Sequence, residues 1–379
     1  MSKYLKTLHV INIFFSLSYL KGHFKHFNSK GHKQHIICSP DERLNQLSKI
    51  ENFEYLEIPI KRSISPFSDI YSIYRTYHYI KKNNINLVFG HTPKGALIGM
   101  ISSFLAGSKK RVYFRHGLVY ETMFGIKKTI FKYIEKITSY LATDVIVVSE
   151  YLYKKSINDK ISKKNKLILL GKGTANGIDT KKKFNRDNLT LTTLYKIKNE
   201  LNINDSDYVI GYCGRIVKDK GISDLVEAFL KLKKTNSKYK LLLIGDYEDK
   251  DPLPQKIIYE INNNPDIIKT GFIFKNIEYY YSLMDVFVLP SYREGFGMSI
   301  IEASAMEIPV ISNKFTGSQS AILDKVTGYL IEINTTNIVN AILNTKQNPK
   351  LGKNGRKFVI ENFDNKIIWN FLEEKIYKS

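Results

Sequence analysis

The chain has 379 residues, of which 43% are hydrophobic, and its formal net charge is +22. This length predicts two domains, and the hydrophobic content excludes a disordered chain. The excess of basic residues favours an anionic partner, namely nucleic acid, acidic lipid headgroups or a phosphate-bearing substrate. Solvent-exposed lysines without a binding role would give the same net charge. Two cysteines, Cys38 and Cys213, exclude a disulfide framework and a zinc site and favour a reduced, cytoplasmic protein.

The N-terminus has a basic start followed by the apolar run LHVINIFF, as a signal peptide would. The run is short, no A-x-A-like site follows it, and Lys21 and His23 interrupt it. No segment reaches the roughly 20 apolar residues that span a bilayer. We therefore expect a cytoplasmic protein that can still contact a membrane surface.

Short β-rich runs alternate with amphipathic helices in the first half of the chain, which is typical of α/β layers. Strands are predicted at 8–14, 35–39, 86–91, 112–116, 144–149 and 166–171. One helix is predicted at 68–83, where tyrosines and isoleucines recur at three- and four-residue steps. Another is predicted at 126–141, with an apolar stripe of Ile130, Ile134, Ile137 and Leu141.

The second half repeats this alternation after a charged stretch, in which we place a linker near 182–190. Strands are predicted at 208–214, 240–245, 267–273, 286–290 and 309–313. A final helix over 365–378 is expected to bury Ile367, Ile368, Phe371 and Leu372. The pattern predicts two Rossmann-like domains facing across a cleft, with ligands bound outside the carboxyl ends of the strands.

The stretch LPSYREGFGMSIIEA places Glu294 before a glycine turn and Glu302 inside the following helix. The turn consists of Gly295, Phe296 and Gly297, and the helix begins near Met298. Glycines allow close backbone approach, and the N–H groups of a helix start favour a phosphate. Glu302 would accept hydrogen bonds from ribose hydroxyls and Glu294 from the hydroxyls of a second sugar, so the two acids would bracket a diphosphate. The alternative is that Glu302 is only a helix-surface residue and Glu294 only an acid in a turn.

A second motif, GYCGRIVKDKG, ends a strand at Gly214 and then presents Arg215 and Lys220. Two cations over a diphosphate neutralise its charge and stabilise it as a leaving group. Gly245 ends the next strand and would line the same cleft. Each motif taken alone would equally be a simple strand–turn signal.

In the first half, His91 ends one strand and Arg115 and His116 end the next. A histidine at a strand end can donate to a sugar hydroxyl or a phosphate oxygen, although a lone histidine is more often structural. The sequence has no G-x-x-x-x-G-K-[ST] loop and no G-x-S-x-G elbow, which excludes a P-loop NTPase and an α/β-hydrolase elbow. The lack of G-x-G-x-x-G after the first strand argues against a dinucleotide enzyme.

The segment EGFGMSIIE resembles the E-x7-E signature of family-4 retaining glycosyltransferases, which have the GT-B fold. The likeness covers almost the whole chain. GRIVKDKG adds specificity to the family, and HTPKGA, GKGTANGID and GDYEDKDP are similar to a subgroup that builds capsule, O-antigen or other surface polysaccharides.

The resemblance implies roles for the residues above. Residues 190–361 would bind a UDP-sugar donor, with Arg215 and Lys220 on its diphosphate, Glu302 on the ribose and Glu294 on the transferred sugar. Residues 1–185, with the final helix 362–379 crossing back to them, would bind the acceptor. The acceptor side would comprise His91, Arg115 and His116, with His116 near the reacting centre.

The reaction implied is transfer of a hexose or N-acetylhexosamine, with retained configuration, to an undecaprenyl-diphosphate-linked glycan. The resemblance implies no cofactor, no metal, no nucleic-acid partner and no protein nucleophile. Two segments depart from the family pattern. Residues 316–319 read TGSQ where many relatives have Gly-Gly and an acid, and FFSLSY replaces a glycine-rich loop after the first strand.

A lipid-linked acceptor would bring the protein to the anionic inner face of the cell membrane, where each lysine contributes about 1 kcal/mol. The candidate contact is helix 126–141, with Lys127, Lys128, Lys132 and Lys136. Alternatively, this helix packs through its apolar stripe and its lysines are merely solvated. Two other functions stay open: a same-fold nucleotide-sugar epimerase or phosphorylase, and a non-catalytic anion-binding protein.

Overall fold

The computed structural model describes residues 4–63, 65–249 and 251–378, which form two compact units. The first unit contains the residues up to Asn176 together with those from Ile368 onward, and the second contains Gly177–Ile367. The end of the chain therefore groups with the first unit from Ile368 onward, whereas the predicted boundary was at 362.

The division between the units precedes the predicted linker, which lies inside the second unit. Phe184 is buried there, and Arg356 donates from Nη1 to the Phe184 carbonyl at 3.0 Å and from Nη2 to Asn185 Oδ1 at 2.9 Å. A charged stretch without strands is therefore a packed connection here rather than a linker.

The sheet of the first unit is entirely parallel, in the order β3-β2-β1-β4-β5-β6-β7. Its strands are β1 (Lys6–Val10), β2 (Lys33–Cys38), β3 (Glu54–Glu57), β4 (Leu87–His91), β5 (Lys110–Arg115), β6 (Asp144–Val147) and β7 (Leu167–Leu169). Its helices are α1 (His23–Ser29), α2 (Arg43–Glu51), α3 (Pro66–Asn83), α4 (Pro93–Leu105), α5 (Gly125–Leu141) and α6 (Glu150–Asn158).

The second unit also has a parallel sheet, in the order β10-β9-β8-β11-β12-β13. Its strands are β8 (Tyr208–Cys213), β9 (Tyr239–Ile244), β10 (Ile267–Gly271), β11 (Val286–Leu289), β12 (Val310–Asn313) and β13 (Gly328–Ile331). The helices of the remaining chain are α7 (Leu191–Glu200), α8 (Ile222–Thr235), α9 (Gln255–Asn263), α10 (Ile277–Ser282), α11 (Met298–Ala305), α12 (Thr335–Gln347), α13 (Lys350–Phe363) and α14 (Asn365–Leu372).

The α/β architecture and each predicted strand are confirmed, because long apolar runs such as β4 are buried on both faces of a helix-covered sheet. The final helix is shorter than predicted: α14 ends at Leu372 and a π-helical turn covers Glu373–Tyr377. Ile367 and Phe371 are only half-buried, and Trp369 lies in the core instead.

In both sheets the chain order reverses beside a central strand, between β1 and β4 and between β8 and β11. Such switch points open a crevice at the carboxyl ends of the strands, where ligands of open α/β sheets bind. In the described part of the chain, no helix is both long and apolar enough to cross a membrane.

Candidate active site

The loop after β11 carries Glu294 to the switch point of the second sheet. Lys220, from the loop after β8, donates from Nζ to Glu294 Oε2 at 2.6 Å. Helix α11 begins at Met298, as predicted, and Gly297 precedes it with φ 86°, a backbone conformation that favours glycine. The predicted acid and one predicted cation therefore meet beside the start of a helix.

The loop after β12 supports the Glu294 loop directly. Gly317 N donates to the Glu294 carbonyl at 2.8 Å, and a Cβ added at Gly317 would lie 1.9 Å from the Gly295 carbonyl oxygen. Ser318 is buried and hydrogen-bonded to Ser312, 2.9 Å between the hydroxyl oxygens. This is the TGSQ segment that departs from the family pattern, and it retains the glycine that the close contact requires.

Arg215 is the second predicted cation, and it lies in a chain of ion pairs. Its Nη1 is 2.9 Å from Glu248 Oε2, and its Nη2 is 3.9 Å from Asp219. Asp219 is also 2.8 Å from Arg293, the residue before Glu294. Burial alone would lower the pKa of Arg215, but the hydrogen bond and the charge of Glu248 outweigh it and raise the pKa. The guanidinium is therefore charged at the site.

Two glycines bring the ends of β8 and β9 together. A Cβ added at Gly245 would lie 1.9 Å from the carbonyl oxygen of Gly214, and both glycines have positive φ. The two glycines thus permit a close backbone approach of the two strand ends, which any larger residue would block. Their part in donor binding stays a prediction.

Glu302 lies on α11 next to the end of β8. Tyr281 donates its hydroxyl hydrogen to Glu302 Oε2 at 2.8 Å. Burial raises the pKa of Cys213 to about 12, and the nearby Glu302 carboxylate adds to that shift. Phe296 does not present its ring to the site, because the ring is buried against Phe363, with ring centres 5.3 Å apart.

In the first unit, the predicted histidines His91 and His116 meet at the switch point, joined by a third that the sequence analysis missed. His9 Nδ1 lies 3.0 Å from His91 Nε2, and His91 Nδ1 lies 3.2 Å from His116 Nε2. Burial lowers the pKa of His9 to about 3 and that of His116 to about 4. Burial also lowers the pKa of His91 well below its usual value, so all three rings are neutral at pH 7.

The segment FFSLSY forms most of a 3₁₀ helix, Phe14–Leu20, in place of a glycine-rich loop. Its Tyr19 stacks on His116 with ring centres 5.3 Å apart and planes 24° apart. The segment that departs from the family pattern thus supplies an aromatic ring, that of Tyr19, which covers one face of the His116 ring.

Arg115 is not part of a ligand site, contrary to the prediction. It is fully buried, and its guanidinium donates to Glu135 Oε2 at 3.1 Å, Ser156 Oγ at 2.7 Å and Ser139 Oγ at 2.5 Å. The side chain points from β5 into the sheet–helix layer, where α5 supplies the compensating carboxylate. Arg115 therefore holds α5 against the sheet.

Helix α5 is oriented with its polar face toward the core. Glu135, Thr138 and Ser139 are buried, whereas Ile130 and Ile137 are 44% and 50% exposed. The alternative that the apolar stripe packs inward is therefore wrong. The outward stripe continues through further exposed residues, Phe124, Ile126, Tyr133 and Tyr140.

The fold and the two switch-point clusters define a class: two α/β units with parallel sheets are the architecture of GT-B glycosyltransferases. The family model for group 1 glycosyl transferases matches residues 195–358, and that for glycosyl transferase 4-like proteins matches residues 6–149. The chain is 34% identical to the capsular polysaccharide biosynthesis glycosyltransferase CapM of Staphylococcus aureus, over 97% of this chain and 96% of that protein. The protein belongs to the group 1 glycosyltransferases.

Two further proteins are similar to this chain. A UDP-Gal:α-D-GlcNAc-diphosphoundecaprenol α-1,3-galactosyltransferase of Escherichia coli is 24% identical over 80% of this chain and 78% of its own. The crystal structure of Anabaena HepE in complex with UDP-glucose superposes with a TM-score of 0.78, at 17% identity, covering 98% of this chain and 99% of that one. The latter likeness shows the fold alone.

Proposed function

We propose that this glycosyltransferase transfers a hexose or N-acetylhexosamine from a UDP-sugar, with retained configuration, to an undecaprenyl-diphosphate-linked glycan in surface polysaccharide synthesis. The observation that carries the proposal is the convergence at the second switch point. Lys220 and Glu294 come from loops after two different strands and are in contact there, beside the start of α11. The names of the Staphylococcus and Escherichia relatives support the pathway and the acceptor class.

The donor half-reaction needs charge stabilisation where the diphosphate departs. Arg215 and Lys220 supply two cations, and the N–H groups at the start of α11 supply a further electropositive end. Both cations are ion-paired in the structure, Lys220 with Glu294 and Arg215 with Glu248. Donor diphosphate would take over these cations, which frees the Glu294 carboxylate to accept hydrogen bonds from sugar hydroxyls.

The remaining roles follow from position. Glu302, on α11 near the end of β8, would accept hydrogen bonds from the ribose hydroxyls, and His116, in the first unit, would bind on the acceptor side. The leaving diphosphate oxygen would help to deprotonate the incoming hydroxyl on the same face of the sugar. No protein nucleophile, metal or cofactor takes part in this scheme.

The acceptor's lipid would require the enzyme to work at the membrane surface, and helix α5 supports this. Its apolar stripe is exposed, and Lys127 and Lys136 lie on opposite sides of that stripe at 100° per residue. Lys132 is ion-paired with Asp159 at 3.3 Å and contributes less free charge. An apolar face flanked by lysines suits the interface of an anionic bilayer.

A second exposed stripe lies on α3, across α4 from α5, since α4 packs against both helices. It consists of Phe67, Ile70, Tyr71 and Tyr74, and Phe67 is 91% exposed. Two parallel apolar stripes on one side of a sheet would present a broad surface to the inner leaflet. We therefore place the protein at the inner face of the cell membrane.

The test is a transfer assay with a panel of UDP-hexoses and UDP-N-acetylhexosamines and a synthetic undecaprenyl-diphosphate-linked saccharide. Product mass identifies the sugar, and the anomeric coupling in its NMR spectrum gives the configuration. We expect one donor to be used and its configuration retained. Donor conversion without acceptor would instead identify an epimerase, and inversion would contradict the retaining mechanism. Glu294→Gln is the matched loss-of-function variant.

A further inference from the structure

Two neighbouring ion pairs join the loop after β8 to the loop after β11. Lys220 and Glu294 form one of them, with Nζ 2.6 Å from Oε2. The residues just before these two, Asp219 and Arg293, form the other, with Oδ2 2.8 Å from Nη2. The first loop therefore gives the cation of one pair and the acid of the other. The proposed function uses the Lys220–Glu294 pair, and the second pair has no part in it so far.

Asp219 is attached to the loop after β11 by its backbone as well as by its side chain. Its carbonyl oxygen accepts from the N–H of Tyr292 at 2.9 Å and from the hydroxyl of Ser291 at 3.4 Å. Its own N–H donates to Asp251 Oδ2 at 2.6 Å. The Asp219 carboxylate thus stands on a backbone that is already hydrogen-bonded on both sides, so it holds Arg293 at a defined place.

The two ion pairs differ in what each partner gains when a donor binds. In the proposed function, Lys220 exchanges Glu294 for a phosphate, and Glu294 exchanges Lys220 for sugar hydroxyls. Asp219 gains no such substitute: its side chain is 14% exposed, and its buried Oδ1 is 3.9 Å from Arg215 and accepts no hydrogen bond in the described chain. Removing Arg293 would leave a largely buried carboxylate without its closest cation, which is costly. The Asp219–Arg293 pair therefore persists when the other pair opens.

We propose that Asp219 and Arg293 are positioning residues, whose ion pair keeps the loops after β8 and β11 together once the donor diphosphate has drawn Lys220 away from Glu294. The inference rests on the proposed function for the identity of the ligand. The pair acts through its neighbours in the chain, because it fixes the distance between the cation that meets the leaving group and the acid that meets the sugar. Asp219 and Arg293 themselves contact no substrate in this scheme.

Hydrogen exchange of the Tyr292 amide reports on the loop contact without any substrate, because this N–H donates to the Asp219 carbonyl. Arg293→Met should speed its exchange about 10–100-fold, the effect of losing one hydrogen bond between charged groups. Glu294→Gln, which changes only the neighbouring pair, should leave the rate near that of the unmodified protein. So should Lys233→Met, at a comparably exposed ion pair elsewhere in the second unit. Equal acceleration by Arg293→Met and Glu294→Gln would overturn the proposal.

UDP is the probe for the state in which the diphosphate is bound. With saturating UDP, the unmodified protein should keep the slow exchange of the Tyr292 amide, because the Asp219–Arg293 pair stays closed. Loss of this protection on addition of UDP would overturn the proposal. A protein that binds no UDP would contradict the proposed function, while the exchange rates without ligand would still decide whether the pair holds the two loops together.

Transfer kinetics separate a positioning role from a purely structural one. Arg293→Met should lower kcat by about 10²-fold, the effect of a small misplacement of reacting groups, and Arg293→Lys, which keeps the charge, should recover much of the rate. The double variant Asp219→Ala/Arg293→Met should be no slower than the slower single variant, because the two residues act as a unit. Losses that multiply, or no recovery in Arg293→Lys, would contradict the positioning role. If Arg293→Met does not fold, Asp219→Ala breaks the same pair from the other loop and should show the same exchange and the same kcat.

Discussion

Lys220 Nζ lies 2.6 Å from Glu294 Oε2, and the two side chains are 13% and 19% exposed. The pair joins the loop after β8 to the loop after β11, at the switch point of the second sheet. In the function proposed above, a donor diphosphate would displace this pair, so that the cation would balance the leaving group and the acid would become available to the sugar.

Lys220→Met should reduce kcat for glycosyl transfer by about 10²–10³-fold, because a charge-stabilising donor is lost from the transition state. The measurement is initial rate at saturating UDP-sugar. Lys233→Met is the matched control, because Lys233 is 2.6 Å from Asp266 and comparably exposed. Asp266 comes just before β10, at the amino ends of the strands, whereas Lys220 and Glu294 follow the carboxyl ends. Equal losses in both variants would remove Lys220 from the proposed site.

Arg115→Met should unfold the first unit more easily, by about 3–5 kcal/mol, because it leaves the Glu135 carboxylate buried without its cation. Urea denaturation followed by fluorescence of Trp369, the sole tryptophan, reports on this unit. Adding Glu135→Leu should recover part of the loss, because the unpaired charge is removed.

The control for Arg115 is Lys154→Met on α6, whose ion pair with Glu150 is exposed. We expect a change within about 1 kcal/mol there. A loss of acceptor affinity in Arg115→Met without a loss of stability would restore the acceptor-side role that the sequence suggested.

Stability should fall as the pH is lowered from 6.5 toward 4, because the unfolded chain protonates its histidines and the folded protein does not. Burial lowers the pKa of His9 to about 3 in the folded state, so the unfolded state binds one more proton there between pH 5.5 and 4. His9→Phe should reduce the slope of unfolding free energy against pH by about 1.4 kcal/mol per unit in this window. An unchanged slope would show that His9 is protonated in the folded protein.

Much of the fold could be predicted from the sequence, and the omissions have physical reasons. Apolar runs bounded by turns predicted the strands, except β3 and β13, which are four-residue edge strands. β3 has the sequence EYLE, whose acids flank only two half-buried residues, so it lacks the apolar signal of a buried strand.

The candidate site was predicted where it follows from strand ends and was missed where it depends on tertiary contacts. Glu294, Lys220 and His116 lie after the ends of predicted strands and could be identified from the sequence. His9 lies within β1, and only the pairing of β1 with β4 brings it to His91. Arg115 looked like a ligand-binding residue because its partner Glu135 lies on α5, which is distant in sequence.

Periodicity identified the apolar stripe of α5 but could not tell its direction. A 3.6-residue period defines the two faces of a helix, while the buried charge of Arg115 decides which face turns inward. The polar face packs inward because it carries the carboxylate and hydroxyl groups that satisfy that guanidinium.

Asn176→Ala should destabilise the first unit by about 1–3 kcal/mol, because it leaves a buried indole N–H without an acceptor. Trp369 Nε1 donates to Asn176 Oδ1 at 2.6 Å, and this bond attaches the returning C-terminal segment. The fluorescence of Trp369 measures the unfolding directly. Asn354→Ala, which removes an exposed amide of the second unit, is the control, and an equal loss there would show that the indole bond has no special role.

Replacing Lys127, Lys128 and Lys136 by Gln should weaken binding to anionic vesicles by about 10²-fold, because each lysine near the surface contributes about 1 kcal/mol. Lys231, Lys234 and Lys238, exposed lysines of the second unit, give a control with the same change in charge. Replacing Ile126, Ile130 and Ile137 by Ser should weaken binding even at high salt, because screening suppresses the lysine contribution but not apolar burial. Co-sedimentation with phosphatidylglycerol vesicles measures both. Equal binding by the α5 variants and the control would show that this helix does not face the membrane, while unchanged UDP-sugar affinity in all of them would confine the effect to docking.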